Sequence, residues 1–223
     1  GLVWFINMSY YTMMKYEVLV LGQLETNCYL VWEEKTKKGI VIDPADDGVA
    51  ISEEINAKQI ELTGVVMTHG HFDHSLAALD LKLMYQVPIF ISAEDKFLLT
   101  RQNTTARHFL KMKVETPNIK VIDEDLSNID EIYVGKEKLK VIKTPGHTPG
   151  SVCLYNEKEG VLFSGDTLFK QFRGRTDFAY GSTKKIYDSL KKLMELPEET
   201  VVLPGHGEAT TIGDEKSKYV FED

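Results

Sequence analysis

The stretch Thr68-His69-Gly70-His71-Phe72-Asp73-His74 decides how the rest of the chain is interpreted. It places three imidazoles and a carboxylate close together, although the whole chain contains only 6 histidines. The apolar, β-branched run at residues 64–68 predicts a buried strand before the cluster. Residues 75–84 predict a helix after it, with Asp73 or Ser75 as the N-cap. We therefore expect the cluster on a strand-to-helix loop, where a rigid scaffold aims the side chains.

The residue types of this cluster favour a metal site. His69 and His71 lie two apart on a tight loop and could reach one ion together, while Asp73 and His74 would point to an adjacent position. Imidazole and carboxylate are ligands that zinc and iron prefer, and no cysteine nearby suggests a structural thiolate site. The alternative is a polar loop whose histidines satisfy local hydrogen bonds. Burying four such groups without an ion would be costly, so we favour the metal.

Three later turns repeat one pattern, in which an apolar strand is followed by a turn and then by a residue that can ligate a metal. The turns at residues 144–150, 164–167 and 203–207 present His147, Asp166 and His206. Each turn alone is typical of an ordinary loop in which the histidine or aspartate has no metal to bind. Together they extend the candidate site and use five of the 6 histidines. The remaining one, His108, falls in a polar helical segment and is expected on the surface.

Composition limits the class of protein. A length of 223 residues suits one large domain or two small ones. The formal net charge of −8 argues against a nucleic-acid surface. Cys28 and Cys153 cannot form a disulfide framework and lie in strand-like apolar runs, so we expect buried free thiols in a reducing compartment. These features predict a cytoplasmic protein without nucleic-acid or membrane partners, and they leave its oligomeric state open.

Residues 1–14 are apolar and aromatic but lack the basic start and the cleavage site of a signal peptide, and they are too short to span a membrane. We expect an N-terminal extension there. The starting Gly1 suggests a cloning origin, and Met8, Met13 or Met14 could each be the natural start. A single domain is predicted over residues 15–223.

The chain divides into two blocks of strands, each accompanied by helices, which predicts two α/β halves packed sheet to sheet. Helices are expected at 49–58, 75–84, over most of 93–113 and at 183–195. Strands are expected at 16–21, 27–32, 39–43, 64–68, 88–91, 119–122, 131–134, 139–142, 151–155, 161–164 and 200–203.

The motifs THGHFDH, TPGHTPGS, SGDTLF and LPGHG, in this order, resemble those of the metallo-β-lactamase superfamily. The resemblance spans residues 15–223. It implies an α/β fold, the αβ/βα four-layer sandwich, with a site for two divalent metal ions at one edge. Zinc is the expected metal, with iron or manganese as alternatives. By the same resemblance the first ion is held by His69, His71 and His147, the second by Asp73, His74 and His206, and Asp166 bridges both.

Within this superfamily, residues 165–169, 174–178 and 204–213 resemble the compact, single-domain glyoxalase II-like hydrolases. The resemblance implies cleavage of a thioester, or a related ester or amide, by a hydroxide that bridges the two metals. Asp73 and Asp166 are then the catalytic carboxylates, acting as metal ligands. Lys170, Arg173 and Arg175 could bind an anionic group of a small-molecule substrate. Only 17 residues follow His206, so we expect no C-terminal helical domain of the kind that helps typical glyoxalase II proteins bind glutathione.

Other activities are compatible with the same motifs. A persulfide dioxygenase resembles this chain in the segment at 174–178 and would use one iron, held by His71 or His69 with His147 and Asp166. The presence of all seven ligand residues favours a site for two metals over a site for one iron. A β-lactamase, a nuclease and a metal-binding module without catalysis are less favoured alternatives. The sequence does not identify the acyl or thiol part of a substrate.

Overall fold

The structure, a computed structural model, describes residues 14–112 and 114–219. Residues 1–13 of the predicted extension, Lys113 at the end of the predicted helical stretch, and residues 220–223 lie outside the described part. The first strand begins at Met14, whose side chain is buried.

The N-terminal half contains six strands in one sheet. Their spatial order follows the chain from β1 to β6, antiparallel over the first three strands and parallel from β3 onward. The elements are β1 (Met14–Leu21), β2 (Thr26–Glu33), β3 (Lys38–Ile42), α1 (Gly48–Ala57), β4 (Glu61–Val66), α2 (Ala78–Tyr85), β5 (Ile89–Ile91), α3 (Lys96–Leu99), α4 (Gln102–Leu110) and β6 (Glu124–Asp125).

The C-terminal half forms a second six-stranded sheet and a small separate hairpin, β11–β12. The large sheet has the order β14-β13-β10-β9-β8-β7 and is antiparallel except where β10 and β13 run side by side. The elements are β7 (Glu131–Val134), β8 (Glu137–Lys143), β9 (Val152–Asn156), β10 (Val161–Gly165), β11 (Leu168–Phe169), β12 (Phe172–Arg173), α5 (Thr183–Leu193), β13 (Val201–Pro204), β14 (Thr210–Thr211) and α6 (Ile212–Lys216).

Three apolar layers hold these elements together. Alternate side chains of a strand point to opposite faces of the sheet. Both faces of the first sheet are covered at β2, so every residue of this strand is buried. Leu30 packs toward α1 and α2, whereas Val31 packs toward the second sheet. On the far side, Leu190 of α5 covers the outer face of the second sheet. Each fully buried aliphatic side chain contributes about 1.5–3 kcal/mol. The result is the predicted αβ/βα four-layer sandwich.

Two local expectations are wrong. Neither Asp73 nor Ser75 caps a helix, because one turn of 3-10 helix (Phe72–His74) follows the loop and α2 begins only at Ala78. The Ser75 hydroxyl instead donates to the backbone carbonyl of His71 at 3.0 Å. The strand expected at 119–122 does not form, and the sheet gains β6 further along. Asp123 accepts a hydrogen bond from the Ile89 amide at 2.8 Å, so a side chain occupies the edge of β5 at that level.

The loops after β4, β8, β10 and β13 meet at one edge of the sandwich, where backbone hydrogen bonds join the two sheets. The amide of Val152 donates to the carbonyl of Thr68 at 2.9 Å, and the amide of Asn27 donates to the carbonyl of Gly205 at 2.8 Å. These bonds fix the strand ends that carry the candidate site. In the described part of the chain, none of the helices has the length and apolar character needed to cross a membrane.

Candidate metal centre

All seven side chains predicted to bind metal converge at this edge, and they fall into two groups joined by Asp166. We call His69, His71 and His147 the first group, and Asp73, His74 and His206 the second group. Within each group, one ligand atom from each residue lies within 4.8 Å of the others. The first group comes from the loops after β4 and β8. The second comes from the 3-10 turn after β4 and from the loop after β13.

The first group consists of three imidazoles that face one another. His71 Nδ1 lies 3.0 Å from His69 Nε2 and 3.0 Å from His147 Nε2. A neutral imidazole carries a single N–H and can donate from only one of its nitrogens, so these three nitrogens cannot all be paired by protons alone. A cation between them would accept all three lone pairs.

The second group mixes imidazole with carboxylate. His206 Nε2 lies 3.3 Å from Asp73 Oδ2 and 3.2 Å from His74 Nε2. His74 Nε2 lies 3.6 Å from the same carboxylate oxygen. This group is also open to solvent on one side, because the His206 side chain is 28% exposed while that of His74 is completely buried.

The Asp166 carboxylate lies between the two groups, and its Oδ2 is also 3.8 Å from His206 Nε2 of the second group. Its Oδ2 lies 3.5 Å from His147 Nε2, and its Oδ1 lies 3.4 Å from His74 Nε2. Oδ1 is buried and has no hydrogen-bond partner among the described residues. A buried carboxylate oxygen without a donor is costly, and a cation would satisfy it, so the residues present fit a metal. Gly205 makes this approach possible, because a Cβ there would collide with Asp166 Oδ1.

The outer nitrogen of each histidine also has a partner that fixes the ring, as is usual for metal-ligating histidines. In the first group the partners are the Thr68 hydroxyl at 3.1 Å for His69, the Tyr180 hydroxyl at 2.8 Å for His71 and the Arg175 carbonyl at 2.8 Å for His147. In the second group they are the Asp43 carboxylate at 2.9 Å for His74 and the Leu24 carbonyl at 3.0 Å for His206.

Asp43 was missed by the sequence reasoning although it carries a recognisable signal. It directly follows β3, in the same arrangement of strand, turn and ligand-type residue as Asp166. The carboxylate is buried and accepts hydrogen bonds from the amide and the hydroxyl of Thr68, both at 2.7 Å, besides contacting His74. Tyr180 had no such signal, since nothing in its surroundings predicts contact with a residue 109 positions away.

The two groups differ in electrostatics. Burial, reinforced by the neighbouring histidines, lowers the pKa of His69 well below its usual value and that of His71 to about 3. Burial would also lower the pKa of His74, but Asp166, Asp73 and Asp43 outweigh it and raise that pKa to about 10. Three carboxylates thus surround one buried imidazole, an excess of negative charge that a bound cation would balance.

A cavity of about 550 Å³ opens beside the seven residues and contains the predicted substrate-binding residues. Lys170, Arg173 and Arg175 line it together with His147, Asp166 and His206, and Phe169 and Phe172 supply apolar walls. The cavity therefore joins cationic side chains to the edge of the candidate metal centre.

The three cations are held differently. Lys170 pairs with Glu208 at 2.5 Å, across the cavity mouth. Arg175 makes two hydrogen bonds to Asp177, each of 2.6 Å, and lies over the Phe178 ring at 4.5 Å. Arg173 stacks on Tyr187 at 5.0 Å and makes no ion pair with the residues that the structure describes. Of the three, Arg173 is the cation whose charge is least neutralised.

The remaining residues noted in the sequence are placed as expected. His108 is exposed on α4, away from the seven converging side chains. Cys28 and Cys153 are free and buried. Burial raises the pKa of the Cys153 thiol to about 11.

Comparison with known proteins agrees with this geometry. The metallo-beta-lactamase superfamily matches residues 21–206. The hydroxyacylglutathione hydrolase GloC of Haemophilus influenzae is 33% identical over 213 residues, which cover 93% of this chain and 98% of that one. Among solved structures, the BLEG-1 B3 metallo-beta-lactamase is 32% identical with a TM-score of 0.84, covering 91% of this chain and 97% of that one. TTHA1623 in a di-iron-bound form is 31% identical with a TM-score of 0.80, covering 90% and 96%.

The chain belongs to the metallo-β-lactamase superfamily, because the family match covers most of its length. Its relatives include a hydrolase, and its clustered histidines and aspartates suit divalent metal ions.

Proposed function

We propose that this protein is a dinuclear metal-dependent hydrolase that cleaves a thioester, or a related ester or amide, in the manner of glyoxalase II. One observation carries the proposal. The Asp166 carboxylate lies 3.5 Å from His147 of the first group and 3.4 Å from His74 of the second, and its Oδ1 is buried without a hydrogen-bond donor among the described residues. A single-metal site would need only one group. Two groups that share a carboxylate are typical of hydrolases with two cations.

The proposed metal ligands are the six residues of the two groups together with Asp166, seven in all. Two such cations, when bound, supply a water of lowered pKa and a Lewis acid for the substrate carbonyl. The chain contributes the rest. Asp73 and Asp166 place negative charge beside the histidines, and the hydrogen-bond partners of the outer ring nitrogens restrain the imidazole rings from rotating. Because Asp73 is engaged with His206 and His74, it is a ligand and not a free general base.

The substrate would lie in the cavity beside the centre. Its anionic part would meet Arg173 first, with Lys170 and Arg175 at the rim, and its scissile carbonyl would face Asp166 and His147. Phe169 and Phe172 would cover apolar carbon atoms of the same molecule. Similarity to a hydroxyacylglutathione hydrolase supports a thioester with an anionic thiol portion.

We propose zinc as the metal, with iron or manganese as alternatives, since mixed imidazole and carboxylate sites accept all three. Two free buried thiols are in keeping with a cytoplasmic protein. The competing proposal is a persulfide dioxygenase with one iron, held by His71 or His69 with His147 and Asp166. That reaction would leave Asp73 and His206 without a role.

The test is a panel of substrates offered to metal-loaded and chelator-treated protein. We expect lactoylglutathione or another anionic thioester to be cleaved, with activity lost on chelation and restored by zinc. A β-lactam and glutathione persulfide serve as the comparison substrates. Oxygen consumption with the persulfide, without thioester cleavage, would overturn the proposal in favour of the dioxygenase.

A further inference from the structure

Asp95 is a buried carboxylate that the proposed hydrolysis does not use. It ends the 3-10 turn Ala93–Asp95 before α3 and is completely shielded from solvent. Its Oδ2 accepts hydrogen bonds from the Gly70 amide at 2.8 Å and from the Thr148 hydroxyl at 2.6 Å. Its Oδ1 accepts one from the Gly150 amide at 2.7 Å. Gly70 separates His69 from His71, and Thr148 follows His147, so this one side chain joins both loops of the first group.

The two glycines in these contacts support the same point. A Cβ at Gly70 would lie 2.9 Å from the Asp95 Cβ, and a Cβ at Gly150 would lie 2.8 Å from the Asp95 Cγ. Such separations are too short for real side chains. Neither glycine has a positive φ, so backbone conformation does not explain them. Both loops approach Asp95 as closely as only glycine allows.

A second set of hydrogen bonds stiffens the turn after His147. The Ser151 hydroxyl lies 2.7 Å from the Thr148 hydroxyl and accepts from the Thr148 amide at 3.1 Å. Because Thr148 donates its hydroxyl proton to Asp95, Ser151 must donate to Thr148. Every proton in this chain of contacts therefore has an acceptor. Three donors converge on Asp95, and an ionised carboxylate, with acceptor sites only, is the side chain that can receive them all.

The second group is anchored elsewhere. His74 is held by Asp43, and His206 by the Leu24 carbonyl. A buried carboxylate thus lies behind each group, Asp95 for the first and Asp43 for the second. Asp43 also reaches the first group indirectly, because the Thr68 hydroxyl that donates to it contacts His69.

We propose that Asp95 is a positioning residue for the first group, holding the His69–His71 loop and the His147 loop at the separation that one metal ion requires. The inference rests on the proposed metal ligands and not on the proposed thioester substrate. Without Asp95, the three imidazoles lose their common alignment, and metal affinity falls at the first group alone.

The experiment measures zinc affinity of the full chain by competition with a chromophoric chelator, in two backgrounds. His206→Asn leaves only the first group intact, and His147→Asn leaves only the second. Asp95→Ala is introduced into each, with Glu94→Gln, the exposed neighbouring carboxylate, as the matched control. We expect Asp95→Ala to weaken zinc binding about 10- to 100-fold in the His206→Asn background, the usual range for an outer partner of a metal ligand. Binding in the His147→Asn background should stay unchanged.

Thr148→Val provides a milder variant in case Asp95→Ala does not fold, because it removes one donor and keeps the side-chain shape. We expect a smaller loss, again confined to the first group. Equal losses in both backgrounds would mean a general structural role and overturn the proposal, as would no loss in either. If neither background binds zinc at all, the proposed metal ligands fail, and the proposal fails with them. Absence of thioester cleavage would leave these affinities unaffected and would count against the substrate alone.

Discussion

The two ligand groups lie at the same edge of the fold, yet they differ in the side chains that would hold a cation. The first group has three imidazoles, and its nearest charge is the Asp166 oxygen at 3.5 Å. The second has its own carboxylate, Asp73, a further one behind it, Asp43, and the other Asp166 oxygen. The first group is therefore defined mainly by geometry and the second mainly by charge.

Histidine pKa values express this difference. Burial acts in the same direction on every histidine, since a charged imidazole is poorly solvated inside a protein. At His69 and His71 burial is the largest influence and lowers both pKa values, that of His71 to about 3. In the second group carboxylates reverse the effect and raise the pKa of His206. One edge of the sandwich therefore provides two unequal candidate metal positions, and single substitutions should affect the two positions separately.

The largest effect should come from Asp166→Asn, because this residue serves both groups. Weakening each position by at least the 10- to 100-fold typical of outer partners gives a combined activity loss on the order of 1,000-fold or more. Metal content should fall at both positions. Hydrolysis rates and elemental analysis on the same preparation measure this. If Asp166→Asn keeps two metals and most of its activity, Asp166 is not the shared ligand.

Next come His147→Asn and His206→Asn, a matched pair that removes one imidazole from each group. Each should retain about one metal per chain, and each should lose roughly 100-fold or more in activity, since a direct ligand matters at least as much as an outer partner. His108→Asn, the same change at an exposed histidine, is the control and should behave as wild type. Loss of both metals from either variant would contradict the separation into two groups.

Asp43→Asn should have a smaller effect, and mainly at the second group. The amide keeps the shape and one acceptor oxygen but removes the charge behind His74, so zinc affinity of the second group should fall roughly tenfold. The first group should lose less, because Asp43 reaches His69 only through the Thr68 hydroxyl. Chelator competition in the His147→Asn and His206→Asn backgrounds measures each group separately. Asp46→Asn, at a neighbouring exposed carboxylate, is the control. An equal loss of zinc affinity at both groups would contradict the inference that carboxylate charge matters mainly for the second group.

The smallest effects are expected at the cavity. Arg173→Gln should raise KM about two- to fivefold with kcat and metal content nearly unchanged, because a charge contact made by a half-buried side chain in an open cavity is expected to contribute only about 0.2–1 kcal/mol. Lys170→Gln should have less effect, since Glu208 already neutralises that lysine. Steady-state kinetics with an anionic and a neutral thioester test this. A fall in kcat with unchanged KM would place Arg173 in the chemistry and not in binding.

Much of the fold and of the residues that converge at the candidate site followed from the sequence. The positions of most strands and the two α/β halves could be predicted because apolar runs alternate with turns. The four-layer sandwich and the two ligand groups were implied by the resemblance to the metallo-β-lactamase superfamily. Asp43 satisfied the same rule, but it was included in the strand expected at 39–43 and was therefore not considered as a ligand-type residue of a turn. Asp95 could not be found this way, because its role depends on two loops that meet it 25 and 55 positions away in the chain.

The local misses have a similar origin. The segment at 119–122 is apolar enough for a strand, but the register of β5 and the Asp123 side chain decide where pairing begins, and neither is visible locally. Likewise, a serine before an apolar run predicts a helix cap, yet Ser75 is recruited to bond the His71 carbonyl and the Gln102 side chain. Tertiary contacts outweighed local preference at both places.

The central claim is that the chain holds two metal ions, one in each group, joined by Asp166. Elemental analysis of anaerobically purified wild-type protein, expressed as metal per chain, tests it most directly. We expect close to two ions per chain, zinc or mixed, falling to about one in both His147→Asn and His206→Asn. Close to one ion of iron in the wild type, unchanged in His206→Asn, would contradict it.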